Sequence, residues 1–271
     1  MKLVRFLSPD GPRLGALAAD GIRELDCPSA LPGAILSSSG QMTPPGRALL
    51  PWPRTGRVFP PDSPLLAPLT PGKIVGIGRN YSDHAREMGG EPPPLPDLFL
   101  KPPSSVIGPG EAIELPAASA RVEIEAELGV VVGRRLRDAS PAEAAAGIFG
   151  LTIVNDVTAR DLQRSDRTWA RAKGFDTFCP LGPCLAVGLD PADLPLVGRV
   201  NGEVRQRART SLMIHPPAEL LAYVSQVMTL EPGDVVATGT PAGVWPIVHG
   251  DVAEIEIDGI GVLRNPVIAR R

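Results

Sequence analysis

The sequence predicts an α+β fold that is mainly β, and three observations carry that expectation. Glycine (29) and proline (32) are both abundant, which favours frequent turns and short strands over long helices. Short runs of alternating apolar and polar residues, bounded by such turns, recur from the N-terminus to the tail. The best helix is a single segment, residues 216–227, which opens with proline and continues AELLAYVSQV with apolar spacing of three and four. At 271 residues the chain can bury a substantial core, as one large domain or one domain with a small appendage.

Residues 1–27 alternate around two turns, Pro9-Asp10-Gly11 and Asp20-Gly21, the pattern of a three-stranded meander. Residues 28–70 are rich in Pro, Ser and Gly, with a possible short helix near 46–50, and PWPRTGRVFPPDSPLLAPLTPG reads as an extended connection. A boundary between residues 55 and 72 leaves a small N-terminal β-meander unit with linker over 1–60 and a main unit over 70–271. Residues 73–78, KIVGIG, read as a short buried strand running into a helix of two or three turns. The Gly76-Ile77-Gly78 pair does not announce a dinucleotide site, because position 81 is Tyr and no βαβ alternation follows. On that helix His84 and Glu87 stand at i and i+3 and share a face, either as a catalytic pair or as an ordinary surface His beside a Glu. The next loop, Gly89-Gly90-Glu91-Pro92-Pro93-Pro94, has the composition of a hinged lid. Residues 98–101 form another short strand.

The stretch RVEIEAELGVVVG, residues 121–133, puts Glu123, Glu125 and Glu127 on one strand face with no Lys or Arg between them. Like charges so spaced need water or a cation. The plain alternative is a solvated edge-strand face, whereas a hard divalent metal is the usual cation held by carboxylate oxygens. Residues 148–154 are an apolar run ending in Asn155-Asp156, and an acid at the end of a buried strand is costly unless paired or metal-bound, which makes Asp156 a candidate third ligand. The polar, partly helical segment that follows contains Arg160, Gln163 and Lys173. It then enters Cys179-Pro180-Leu181-Gly182-Pro183, too tight and apolar for an exposed linker. Asn201-Gly202 marks a hairpin, 235–237 a strand, 238–243 a loop with hydroxyls but no phosphate-loop lysine, and 251–267 two strands about Asp258-Gly259.

Composition narrows the setting. A net charge of -3 with scattered basic residues gives no sign of a nucleic-acid partner. The N-terminus has no apolar signal core, no run approaches the about 18 apolar residues of a membrane span, and Cys27, Cys179 and Cys184 have no metal-ligand spacing. A reducing, cytoplasmic setting is expected.

With these pieces assembled, residues 73–267 resemble the fumarylacetoacetate hydrolase family. The resemblance rests on GRNYSDHAREM, LFLKPPSS, EIEAELGVVVG, NDVTARDLQ, KGFDTFCPLGP, VNGEVRQ, GDVVATGTPAGV and GDVAEIEIDGIGVLRN. The likeness is strongest to its smaller members, which include acylpyruvate hydrolases, oxaloacetate decarboxylases and the hydroxyheptadienedioate isomerases of aromatic degradation. It implies a mixed β-sandwich roll, a homodimer, and one Mg²⁺ or Mn²⁺ per subunit; the meander is similar to the small N-terminal β domain of some members. Residue by residue, it implies metal ligands at Glu125, Glu127 and Asp156, with Glu123 an extra acid. It also implies a water-activating pair at His84 and Glu87, with Lys173 in catalysis and substrate contacts from Arg79, Tyr81, Arg160, Gln163 and Thr240. The implied chemistry is that of a 2-oxo acid passing through an enolate, with hydrolytic C–C cleavage of an acylpyruvate preferred over isomerisation or decarboxylation. A non-catalytic metal and oxo-acid binding protein is the alternative from another class.

Overall fold

The N-terminal alternation produces three antiparallel strands, β1 (Lys2–Ser8), β2 (Gly11–Ala18) and β3 (Gly21–Leu25), joined at the two expected turns. The computed structural model describes residues 1–27 and 53–270, so the helix expected near 46–50 lies outside the described residues. The segment expected as a plain connection instead forms β4 (Arg54–Phe59), paired with β3, before the short β5 (Leu65–Leu66) on β1. Its charged residues hid it, yet they are what holds it. Glu24 is buried and accepts from Thr55 Oγ1 at 2.7 Å, with Arg13 and Arg57 beside it, while Phe59 packs on Phe6 at 4.9 Å.

The strands expected at 73–78, 98–101 and 235–237 and the helix expected at 216–227 are present, together with elements the sequence did not announce. The remaining elements are β6 (Ile74–Gly78), α1 (Ser82–Glu87), β7 (Asp97–Lys101), β8 (Val106–Ile107), β9 (Ile113–Leu115), β10 (Val122–Ile124) and β11 (Ala126–Val132). Next come α2 (Pro141–Ala145), β12 (Ile148–Asn155), β13 (Thr158–Ala159), α3 (Arg160–Ser165), α4 (Ala170–Lys173) and β14 (Cys179–Ala186). The chain closes with β15 (Pro195–Val200), β16 (Glu203–Arg209), α5 (Pro217–Val227), β17 (Val235–Ala237), β18 (Trp245–Ile247), β19 (Val252–Ile257) and β20 (Gly261–Ala269).

A long sheet runs β4-β3-β2-β1-β14-β12-β11-β17-β6-β7, a second runs β16-β15-β19-β20-β9, and a small third runs β13-β10-β18. One apolar core joins the first two: Val4, Phe6 and Ile22 of the meander, Leu128 and Val130 of β11, Leu220 and Leu221 of α5, and Leu196, Ile255 and Leu263 of the second sheet. The third sheet packs Val122, Ile124, Ala159 and Ile247 into a separate cluster. The meander therefore shares a sheet and a core with the rest of the chain, through β1 against β14. Among the described residues, no helix is long and apolar enough to cross a membrane.

The glutamate stretch, expected as one strand, is two. β10 belongs to the small sheet and β11 to the long one, and Glu125 is the residue between them. Asn155 Oδ1 accepts the Glu125 N–H at 3.1 Å, and the Glu125 carbonyl accepts the Asp156 N–H at 3.0 Å. The break is thus closed by hydrogen bonds to the end of β12, which brings Glu125 alongside Asp156.

Candidate active site

The switch between sheets places Glu125, Glu127 and Asp156 together, with one carboxylate oxygen from each within 4.8 Å of the others. All three are buried, not solvated as a strand face would be. Glu123 is buried too but turns to different partners: Arg160 Nε donates to it at 2.6 Å and Arg121 Nε at 2.6 Å.

Three buried cations answer these acids. Lys173, at the end of α4, donates to Glu125 Oε2 at 2.8 Å and to Asp156 Oδ2, and its ammonium lies 4.9 Å from the Phe99 ring centre. Lys101, the last residue of β7, donates to Asp156 Oδ1 at 2.6 Å and to the Lys173 carbonyl at 2.7 Å. Arg160 opens α3 and uses all three guanidinium nitrogens, on Glu123, Gln163 and Glu125. Burial opposes charge on Lys173 and Arg160, yet the carboxylates outweigh it and hold both above their ordinary pKa.

Four buried carboxylates therefore face three buried cations, and the acid left over is Glu127. Among the described residues its Oε2 accepts only the Gly239 N–H, at 2.9 Å. Burial first, then the charges of Asp156 and Glu125, push the Glu127 carboxyl well above the usual range. Glu125 is driven the other way: burial would raise it, but Lys173 and Arg160 hold it ionised. The donor set fits a hard divalent cation. It is all oxygen, each carboxylate oxygen carries a second lone pair, and one of the three acids lacks a counter-charge.

A cavity of about 270 Å³ opens onto this cluster, a size for a small molecule. His84, Arg79, Gln163 and Thr240 stand on its wall with Glu125, Glu127, Arg160 and Lys173. His84 Nδ1 is 3.0 Å from Glu87 Oε2, which leaves Nε2 as the ring nitrogen free of that contact. Burial opposes ionisation of Glu87, but hydrogen bonds from His84 and from the Gly243 N–H keep its pKa low. Arg79 lies in the left-handed region, φ 56°, and is held through Nε by Asp97 at 2.8 Å. Tyr81 is not on the wall: it is packed in the core, with its hydroxyl buried and unpartnered. The Gly76 and Gly78 pair serves aromatic packing. A Cβ on Gly76 would sit 2.1 Å from Phe99, and one on Gly78 2.8 Å from Trp169, the two rings lining the cavity. All three cysteines are free thiols, and burial pushes Cys179 up to about 12, so thiolate chemistry is not at hand.

Sequence reasoning missed Lys101 and Gln206. For Lys101 a signal existed, since a lone charge ending the apolar run LFLK raises the same question as Asp156 at the end of β12. Gln206 closes the VNGEVRQ motif of the resemblance, but the pattern EVRQRAR gives it no role apart from its polar neighbours, yet it is fully buried.

The comparisons with known proteins follow this geometry. The fumarylacetoacetate (FAA) hydrolase C-terminal family model matches residues 73–268. Oxaloacetate tautomerase FAHD2A, mitochondrial, of Bos taurus is 38% identical over 289 residues, covering 99% of this chain and 92% of that protein. The structure of 5-carboxymethyl-2-hydroxymuconate delta-isomerase from Mycobacterium smegmatis is 44% identical with a TM-score of 0.85, covering 100% of both chains. Fumarylacetoacetate hydrolase from Exiguobacterium antarcticum is 37% identical with a TM-score of 0.84, again over 100% of both chains. The match covers the sheet switch, the acid cluster and the cavity wall alike, and the chain belongs to the fumarylacetoacetate hydrolase family.

Proposed function

We propose that the protein is a Mg²⁺- or Mn²⁺-dependent enzyme that cleaves a C–C bond of an acylpyruvate-type 2-oxo acid by hydrolysis. The observation that carries this reading is the meeting of an oxygen-only acid cluster and the His84–Glu87 pair on one small cavity. Glu125, Glu127 and Asp156 would hold a hard divalent cation, which would supply Lewis acidity toward the charge that develops on the 2-oxo oxygen. Lys173 and Arg160 are fixed positive charges beside the same position, set before the reaction begins. Lys173, Arg160 and Gln163, which share the cavity wall, hold the substrate carboxylate and offset its charge.

Glu87 orients the His84 ring and stabilises it when it becomes positive. His84 Nε2 takes a proton from water as the oxygen adds to the distal carbonyl carbon. The bond between that carbon and C3 of the oxo acid then breaks. Its electron pair stays with the three-carbon fragment as an enolate, which regains a proton at carbon to give pyruvate, and the acyl group leaves as a carboxylic acid.

A second reading is favoured by the names of two relatives, an isomerase and an oxaloacetate tautomerase. Shifting a proton along a dienoate or an oxo acid passes through a related enolate of the whole substrate and uses the same base, with no water consumed. Decarboxylation of oxaloacetate gives pyruvate enolate directly. The test is pyruvate release from acetylpyruvate, fumarylpyruvate and oxaloacetate with Mg²⁺ or Mn²⁺, with and without chelator. Chelator-sensitive pyruvate from an acylpyruvate supports hydrolysis. Release from oxaloacetate alone, or turnover of a hydroxymuconate-type dienoate without pyruvate, replaces that reading with decarboxylase or isomerase.

His84→Gln is expected to lower kcat by about 10²- to 10⁴-fold, the usual worth of a positioned general base. Mg²⁺ affinity by calorimetry stays within about threefold, under 1 kcal/mol, because His84 is no part of the acid cluster. A variant that hydrolyses at the wild-type rate removes His84 from the mechanism.

A further inference from the structure

Gln206 lies on β16, in the second sheet, yet its amide reaches the middle of the site. Its Oε1 accepts the N–H of Ala126, the residue between Glu125 and Glu127, at 2.9 Å. Its Nε2 donates to Thr240 Oγ1 at 2.8 Å and to the Pro241 carbonyl at 2.7 Å. The 238–243 loop that it grips is bonded at both ends to the chemistry. Gly239 N–H donates to Glu127 Oε2 at 2.9 Å, and Gly243 N–H donates to Glu87 Oε1 at 2.9 Å. The loop also lies directly on β16: a Cβ on Gly243, which has φ 97°, would meet the Arg205 carbonyl at 2.1 Å.

From this, and resting on the reading of the site given above, we infer that Gln206 is a positioning residue that sets the 238–243 loop so that Gly243 holds Glu87 against His84. Gln206 touches no reacting atom. It acts at the joint between the half of the site that holds the cation and the half that moves the proton. A buried amide satisfied on both atoms fixes both partners, because moving either would strand a buried polar group.

The test is a double-substitution cycle, with Gln206→Met made in the wild type and in Glu87→Gln. Each protein is assayed for kcat and KM on the best substrate of the 2-oxo acid panel and for Mg²⁺ affinity by calorimetry. In the wild type the expected loss is about tenfold or more in kcat, the scale of small misplacements in an active site, with KM and Mg²⁺ affinity within about threefold. In Glu87→Gln the same substitution is expected to cost less than about twofold, since residues acting through one contact are not additive. Gln206→Glu, which keeps an acceptor for Ala126 but lacks the amide donors, carries the same cycle if the methionine protein does not fold. Equal losses in both backgrounds overturn the inference. So does a fall in Mg²⁺ affinity large enough to account for the loss in kcat, which would place Gln206 with the ligand strand alone. Failure of both variants to fold assigns Gln206 to the fold and overturns it as well. A wild type silent on every 2-oxo acid overturns the reading of the site itself, an outcome distinct from additivity in an active enzyme.

Discussion

Metal-free Glu127→Gln protein melts at a higher temperature than metal-free wild type, and Mg²⁺ no longer raises its melting point. The carboxylate removed is the one without a cationic partner, buried between Asp156 and Glu125. An unmatched buried polar group costs about 1–3 kcal/mol, more if charged, and about 1 kcal/mol moves the melting point of a chain this size by about 2–4 °C. The sign with pH follows from the raised pKa of Glu127 in the folded, metal-free protein. A group protonated more readily in the folded than in the unfolded state contributes stability below its ordinary carboxyl range, and that contribution is lost as pH rises through the folded value. The advantage of the variant over wild type therefore grows with pH. Glu125 has a lowered pKa and behaves oppositely, its stabilisation fading on acidification, but it is present in both proteins and cancels in the comparison. For wild type, Mg²⁺ at a hundred times its Kd adds about 2.7 kcal/mol, or about 5–10 °C. Differential scanning calorimetry between pH 5 and 8, with Mg²⁺ or chelator, measures all of this. A metal-free variant less stable than wild type would show that Glu127 already has a counter-charge.

The second large effect is expected at Lys173. Replacing it with Met leaves Glu125 Oε2 and Asp156 Oδ2 buried without their shared ammonium. Breaking a buried pair from one side costs about 3–5 kcal/mol, since the surviving charge keeps its desolvation penalty. Turnover falls by about 10²- to 10³-fold with the loss of a preorganised positive charge. Lys173→Arg does not restore it, because a planar fork cannot take the place of a compact ammonium that also sits over the Phe99 ring. Urea unfolding and kcat of the three proteins check this, and a methionine variant as stable as wild type would contradict the pairing.

The acids were legible in sequence because their signal is local. Alternate glutamates with no interleaved cation, and an acid ending an apolar strand, each pose an electrostatic problem readable from a few residues. The solution is not local. Lys101, Arg160 and Lys173 arrive from β7, α3 and α4, and their arrival depends on the sheet switch at Glu125, which the two-residue period of RVEIEAELGVVVG does not reveal. Hairpin and turn signals were reliable for the same reason as the acids: Asn201 and Gly202 adopt positive φ, as a tight β-turn requires. β4 escaped because RTGRVF places its charges outward and draws its hold from residues on other strands, the buried Glu24 that accepts from Thr55 and the Phe6 ring that packs on Phe59.

Placing β1 beside β14 has a consequence for how the chain acquires its shape. Lys2 stands opposite Ala186, so β1 completes one side of its ladder only with a strand synthesised long after it. Contacts of such sequence separation slow folding, because loop-closure entropy is spent before they form. Until β14 emerges, Leu3 has no strand along that edge, and β1 presents an unpaired edge to other chains.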